Sequence, residues 1–327
     1  MKSIIGILLK SGIIKVGIME TKIIKGDSIK ERIFKEVKDE IAGLLAKFHK
    51  APGIAFIGFS CVPLSKYNIP YHVQLAEAAG FNVLTEIKAD NTTEEELFDL
   101  IEKLNQNDDI HAIVILQPLP EHLNPIRIIN KINPDKEVEG FHPQNMLSTL
   151  IPDIQTSKYP MCLPTALSEL FKEAGLQFKI DQEWVFVLDD EFISNSLTNM
   201  VVKSAASKVI PHDCAVTIIN KNSKNLIEYC KRADILAVVT RTPEYIQAEW
   251  LKPGVCIIDI YSNLVKEIPS KNDPNRLVPI IRGGVNVDSV TNIAGAILPI
   301  PGGLMSVVLT ILLRNALISF KNSLNIN

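Results

Sequence analysis

From Ile23 onward, short apolar runs alternate with amphipathic stretches, and this alternation limits the possible folds more than any other feature. Residues 28–47 place Ile29, Ile33, Val37, Ile41, Leu44 and Leu45 on one face, the spacing of a surface helix. Residues 54–58 read as a short buried strand, and 73–79 as a helix closed by Gly80. That helix is expected to begin at Pro70, because proline suits a first helical position and disrupts an interior one. A strand is expected over 83–85, then a helix over 93–105 in which Glu96 follows a threonine cap by three residues. A further strand, 111–116, runs into Pro118 and Pro120. After Pro152 and Pro160 a second cycle begins, with helices over 165–174 and 192–206 and strands over 184–188, 215–219, 235–239 and 255–260. A last apolar-faced helix, 305–323, is expected to pack back on the first half. Strands separated by helices build βαβ units and a mostly parallel sheet. At 327 residues the chain has room for two such α/β domains.

Composition narrows the function classes. A net charge of -3 leaves no electrostatic footprint for nucleic acid or an anionic membrane surface, so neither is expected as a partner. Lysines interrupt the apolar runs of the first eighteen residues (Lys2, Lys10, Lys15), which match a secretory signal poorly. A transit peptide, a strand pair and an upstream start all remain open for this segment. Five scattered cysteines, Cys61, Cys162, Cys214, Cys230 and Cys256, lack C-x-x-C spacing. They fit a reducing compartment and argue against disulfides and a zinc site, so no metal is expected. A cytoplasmic location is expected, with the mitochondrion as the alternative.

The run Asn133 to Asn145, with Pro134, Lys136, Glu137, Val138, Glu139, Gly140, Phe141, His142 and Pro143, resembles the P-x-K-D-V-D-G-F-H-P-x-N block of the bifunctional methylenetetrahydrofolate dehydrogenase/cyclohydrolases, the FolD family. Both acids of the block are glutamates here. Further likenesses follow in the family's order: Gly26 as a turn glycine, Gly58 with Ser65 and Gly80, Pro118-Leu119-Pro120, Cys162-Leu163-Pro164, Asp259 to Asn263, and Pro299-Ile300-Pro301-Gly302-Gly303. The resemblance implies an N-terminal α/β folate-type catalytic domain over 23–150, completed by the helix 305–323. It also implies a Rossmann-like NAD(P) domain over 151–304, a cleft between the two, and residues 1–22 as an extension. Family enzymes oxidise methylenetetrahydrofolate by hydride transfer and hydrolyse the methenyl product.

Several positions depart from the family pattern. In its S-x-x-Y-x-x-x-K helix the Tyr and Lys positions, counted from Ser65, are Asn68 and His72. His72 is the candidate base, although an ordinary hydrogen-bonded histidine is the plainer reading. The glutamine of Q-L-P-L-P falls on Leu116, with Gln117 displaced by one onto the opposite strand face. Glu139 stands for the folate-binding Asp and keeps its charge. Together with Asn68, Glu139 and the Pro299, Pro301, Gly302 and Gly303 turn make up the candidate substrate-binding set.

The cofactor loop G-x-S-x-x-V-G-x-P reads here from Leu188 to Ser196 and has lost both glycines, at Leu188 and Ser194. Asp189, Asp190 and Glu191 fill the phosphate-facing turn. One like-charge pair at 4 Å costs on the order of 4 kcal/mol at an effective dielectric of 20, about a thousandfold in affinity. Asp190, Ser194, Lys221 (where an Arg often meets the NADP 2′-phosphate) and Tyr261 occupy the family's cofactor positions. The expectation is a catalytically degraded member without a bound cofactor, serving as a folate-type ligand binder, a regulator, a homodimer or a dimer partner of an active relative. The alternative is an active NADP-dependent dehydrogenase/cyclohydrolase in which His72 or Lys66 replaces the missing Lys.

Overall fold

The computed structural model describes residues 20–150, 159–189, 193, 197, 210 and 214–326. The first half runs β1 (Lys22–Ile23), α1 (Asp27–Phe48), β2 (Gly53–Phe59), α2 (Ser65–Ala79), β3 (Asn82–Lys88), α3 (Glu94–Asn105), β4 (Ala112–Ile115), α4 (Pro125–Lys131) and α5 (Pro143–Leu150). The second half continues with α6 (Cys162–Glu173), β5 (Glu183–Leu188), β6 (Ala215–Asn220), α7 (Leu226–Arg232), β7 (Ile235–Val239) and β8 (Cys256–Asp259). It ends with β9 (Asn263–Pro269), β10 (Leu277–Arg282), α8 (Val287–Val290), β11 (Ala296–Leu298) and α9 (Leu304–Ser323). Most of the helix expected over 192–206 lies outside the described residues.

Two parallel sheets result. The first has strand order β3-β2-β4, and the second β1-β11-β8-β7-β5-β6. In the first half β2 is buried along its whole length. Ile54 and Phe56 face one apolar layer, while Ala55, Ile57 and Phe59 face the other. Local chemistry sets several boundaries. Thr93 and Glu96 form the expected reciprocal cap at the start of α3. Gly80 ends α2 at φ +104°, donating its N–H to the carbonyls of Ala76 and Glu77.

The start of α2 differs from expectation: the helix begins at Ser65, not Pro70. Bonds from Ser65 N to Val62 O (2.9 Å) and from Asn68 N to Leu64 O (2.9 Å) initiate it earlier. Pro70 falls in its second turn and forfeits only the bond it would have donated to the Lys66 carbonyl. The ribbon β9–β10 is an antiparallel pair that the apolar periodicity did not signal.

The opening strand also has an unexpected partner. β1 pairs parallel with β11, at the edge of the second sheet, and not with the sheet of the half that follows it. The chain then crosses to the first half at Gly26, where an added Cβ would stand 2.4 Å from the Gly303 carbonyl oxygen. At the other end α9 returns to pack on α1, α6 and β4. Its composition would let it cross a membrane, but 67% of its most apolar window is buried within the protein. One apolar cluster therefore runs from Ile33 and Phe56 through Leu312 and Leu313 to Trp184 and Phe186, joining both halves.

Candidate functional site

Glu137 and Glu139 play different parts. The Glu137 carboxylate is buried and accepts from the backbone N–H groups of Glu139 (3.0 Å), Gly140 (3.1 Å) and His142 (2.8 Å), and from Asn145 Nδ2 (3.2 Å). It folds the loop that presents Glu139. Lys136 is structural too, since its Nζ donates to the carbonyls of Leu104, Asn105 and Asn107 at the end of α3. Glu139 keeps part of its surface open, and its carboxyl makes no hydrogen bond to another described residue. Desolvation, with the Glu137 charge beside it, pushes that carboxyl up to about 8.

On α2 the fold brings Asn68 and His72 onto one face, four residues apart. His72 Nδ1 lies 2.7 Å from the Asn68 carbonyl oxygen and its ring packs edge-on against Phe56. A carbonyl only accepts, so Nδ1 carries a proton and Nε2 of the neutral ring holds the lone pair. Burial lowers the affinity of His72 for a second proton. At the end of β4, Leu116 packs with the layer that holds Phe56 and Val114, while Ile115 and Leu119 join the opposite layer. Gln117 precedes a cis peptide bond to Pro118, and its Nε2 is buried without a hydrogen-bond partner among the described residues. In the neighbouring turn, Lys66 and Tyr67 both reach Glu267 on β9, Tyr67 Oη donating at 2.5 Å. This polar bridge between the halves had no sequence signal.

In the second sheet β6 lies on one side of β5, and β7, β8 and β11 on the other, so strand order switches between β5 and β7. Ligands of open parallel sheets bind outside the carboxyl ends of the strands at such a point. Here Asp189 follows β5 directly. Its Oδ2 accepts from Lys221 Nζ (2.7 Å) and Thr240 Oγ1 (2.9 Å), and its Oδ1 from Arg241 N (3.0 Å). Lys221 also donates to Thr242 Oγ1 (2.8 Å). The structure thus places Lys221, the candidate 2′-phosphate contact, in an ion pair with one of the carboxylates assigned to repulsion. That repulsion is correspondingly weaker on the Asp189 side. Asp190 and Ser194 lie outside the described residues.

Tyr261 packs against the shared apolar cluster. Asp259, two residues before it, is fully buried and accepts from Gly284 N (2.9 Å) and Val285 N (3.1 Å), so it ties down the loop after β10. Desolvation pushes its carboxyl up to about 7 despite those donors. Pro301 and Gly302 are exposed and Pro299 is half-buried, in a turn with a cis Ile300–Pro301 bond and Gly302 at φ +120°. Gly303 backs onto Leu298 so closely that an added Cβ would lie 2.3 Å from its Cδ1.

Residues 24–139 match the family model for the tetrahydrofolate dehydrogenase/cyclohydrolase catalytic domain, and residues 161–324 match the model for its NAD(P)-binding domain. The chain belongs to this family. The bifunctional protein FolD of Desulfosudis oleivorans is 36% identical over 308 residues, covering 94% of this chain and 100% of that protein. FolD of Desulfatibacillum aliphaticivorans is 34% identical over 303 residues, 93% of this chain and 98% of its own. Among solved structures, the Trypanosoma brucei methylenetetrahydrofolate dehydrogenase-cyclohydrolase, complexed with NADP and an inhibitor, superposes with a TM-score of 0.79 at 25% identity, covering 93% of this chain and 99% of that one. The Bombyx mori 5,10-methylenetetrahydrofolate dehydrogenase gives 0.76 at 26% identity, with 93% and 99% covered.

Membership implies a nicotinamide dinucleotide at the β5–β7 switch point, where most of the loop that would hold it, residues 190–196, lies outside the described residues. The position of the first loop glycine is Leu188, the last residue of β5, whose side chain is buried. The next side chain places a carboxylate at the strand end, and the nearby cation is committed to it. His72 packs on Phe56 of the large apolar cluster, which also contains Val138 and against which Leu116 packs, and Asn68 reaches it through His72.

Proposed function

We propose that this FolD-family chain binds a folate-type ligand through its first domain and does not carry out NAD(P)-dependent turnover. The observation that carries the reading is the Asp189–Lys221–Thr240 network at the switch point, which takes up the cation and the strand-end space a dinucleotide phosphate would need. On the folate side, the reading is supported by the Glu139 carboxyl, which is desolvated, partly open and without a hydrogen-bond partner among the described residues at the family's ligand-binding position. A homodimer, or a dimer with an active relative, in the cytoplasm is the setting proposed for it. Titration calorimetry with NADP and NAD, followed by folic acid, tests the assignment. No dinucleotide binding at millimolar concentration is expected, with folic acid binding lost in Glu139→Ala. Micromolar NADP affinity, or NADP-dependent oxidation of methylenetetrahydrofolate by the purified protein, overturns it.

One observation favours a second reading, hydrolysis of methenyltetrahydrofolate without hydride transfer. His72 stands at the family Lys position as a neutral imidazole, its Nδ1 tied to the Asn68 carbonyl and its Nε2 left as an acceptor. Cyclohydrolase turnover that disappears in His72→Ala, in protein that does not bind NADP, distinguishes this reading from the first.

A further inference from the structure

α9 is apolar along most of its length, yet its buried face carries Thr310, Asn315 and Ser319, the last two one turn apart. Ser319 Oγ donates within reach of the carbonyls of His111 (2.6 Å) and Asp135 (2.8 Å). Asn315 is fully buried. Its Nδ2 donates to the carbonyls of Val138 (2.8 Å) and Pro160 (2.9 Å), with Cys162 Sγ at 3.4 Å. Two carbonyl acceptors on one side fix the orientation of the amide, since only the nitrogen can donate. Its Oδ1 then has no partner among the described residues. Leucine would fill a similar volume but would take this donor away from the Val138 and Pro160 carbonyls, so the amide is here for its hydrogen bonds and not for its bulk.

What the amide grips explains it better. Val138 directly precedes Glu139, and Pro160 lies two residues before Cys162, whose N–H donates to the Glu139 carbonyl at 3.0 Å. On the far side Gly140, at φ +89°, presses so closely on the entry to α6 that an added Cβ would stand 2.7 Å from Met161 Cα. The Glu137 carboxylate holds the Glu139 N–H. The backbone of Glu139 is therefore held at both its N–H and its carbonyl, while its carboxyl makes no hydrogen bond to another described residue. The link that crosses from the last helix to this junction of the two halves is Asn315.

We propose that Asn315 is a positioning residue for Glu139: by tying Val138 and Pro160 to α9, its amide aims the Glu139 carboxyl at the ligand. This rests on the reading of Glu139 as the ligand-facing group. The test uses full-length protein with 13C-labelled glutamate carboxyls, comparing wild type, Asn315→Leu and Ser319→Ala. In Asn315→Leu the Glu139 carboxyl is expected to titrate at least about one pH unit closer to an ordinary glutamate, as the loosened segment lets in water. Affinity for folic acid is expected to fall about tenfold or more. Ser319→Ala, which touches other carbonyls, is expected to lower thermal stability without moving the Glu139 titration.

A folded Asn315→Leu protein with an unchanged Glu139 titration overturns the proposal. Should that variant not fold, the same measurement on Asn315→Gln decides, because one added methylene misplaces the amide while keeping its donors. An unchanged titration there is equally fatal. The carboxyl titration needs no ligand, so wild-type protein that fails to bind folic acid would sink the ligand assignment and leave the Asn315 result standing.

Discussion

Replacing Glu139 with Gln removes a titrating group while nearly preserving its shape, and the consequence for stability follows from its surroundings. Desolvation and the Glu137 carboxylate raise the Glu139 carboxyl from an ordinary 4.5 to about 8. Between those values the folded protein holds a proton that the unfolded chain has released, so stability falls as pH rises through this window. At about 1.4 kcal/mol per pH unit the full effect is on the order of 5 kcal/mol. Glu139 keeps some solvent contact, and screening reduces the expectation to about 2–3 kcal/mol. Urea unfolding at pH 5, 7 and 9 reads the difference between the variant and the wild type. Glu139→Gln is expected to gain about 2–3 kcal/mol relative to wild type between pH 5 and pH 9. Asp259, raised to about 7, adds its own decline in the same direction, but to both proteins, so it cancels. A stability difference that is the same at all three pH values refutes the assigned environment of Glu139.

Other perturbations test separate parts of the structure. Gly140→Ala combines a positive φ with a Cβ 2.7 Å from Met161 Cα, and is expected to cost about 2–4 kcal/mol by thermal or urea unfolding. Lys221→Met leaves the Asp189 carboxylate, 7% exposed, with Thr240 and the Arg241 N–H as its partners among the described residues. A loss of about 1–3 kcal/mol is expected, smaller in Lys221→Met/Asp189→Asn, where no charge is left unpaired. His72, lowered by burial, is expected to stay neutral at pH 6.5 in a histidine NMR titration; a half-protonated ring there contradicts its placement against Phe56.

Much of this architecture is legible in the residues themselves. The period of Ile29, Ile33, Val37 and Ile41 gives α1, Thr93 with Glu96 gives the start of α3, and Gly80 gives the end of α2. Local rules suffice where local bonds decide. They misplace the start of α2, because the bonds around Leu64 and Ser65 outweigh the one donor that Pro70 lacks. They are silent on β1, whose two residues find their partners across the molecule in β11, and on the β9–β10 ribbon. At the site, motif order singles out Glu139 and His72 as candidates, but the pairing of Lys221 with Asp189 joins segments far apart in sequence. The hint of Asn315 was a pair of polar residues, at i and i+4, within the mostly apolar face of this helix. Periodicity alone reads that as a packing seam.

The path of the chain at Gly26 has a consequence for how this molecule can be divided. The second sheet takes its edge strand from residues 22–23, ahead of the first half, while the first half takes its covering helix α9 from the far end of the chain. Each half is thus completed by a segment that lies on the other side of it in the sequence. A fragment ending near residue 150 would lack α9, and one beginning near residue 160 would expose the open edge of β11. Neither half can be discarded without damaging the other. In such a molecule the nucleotide-type domain is also part of its neighbour's scaffold.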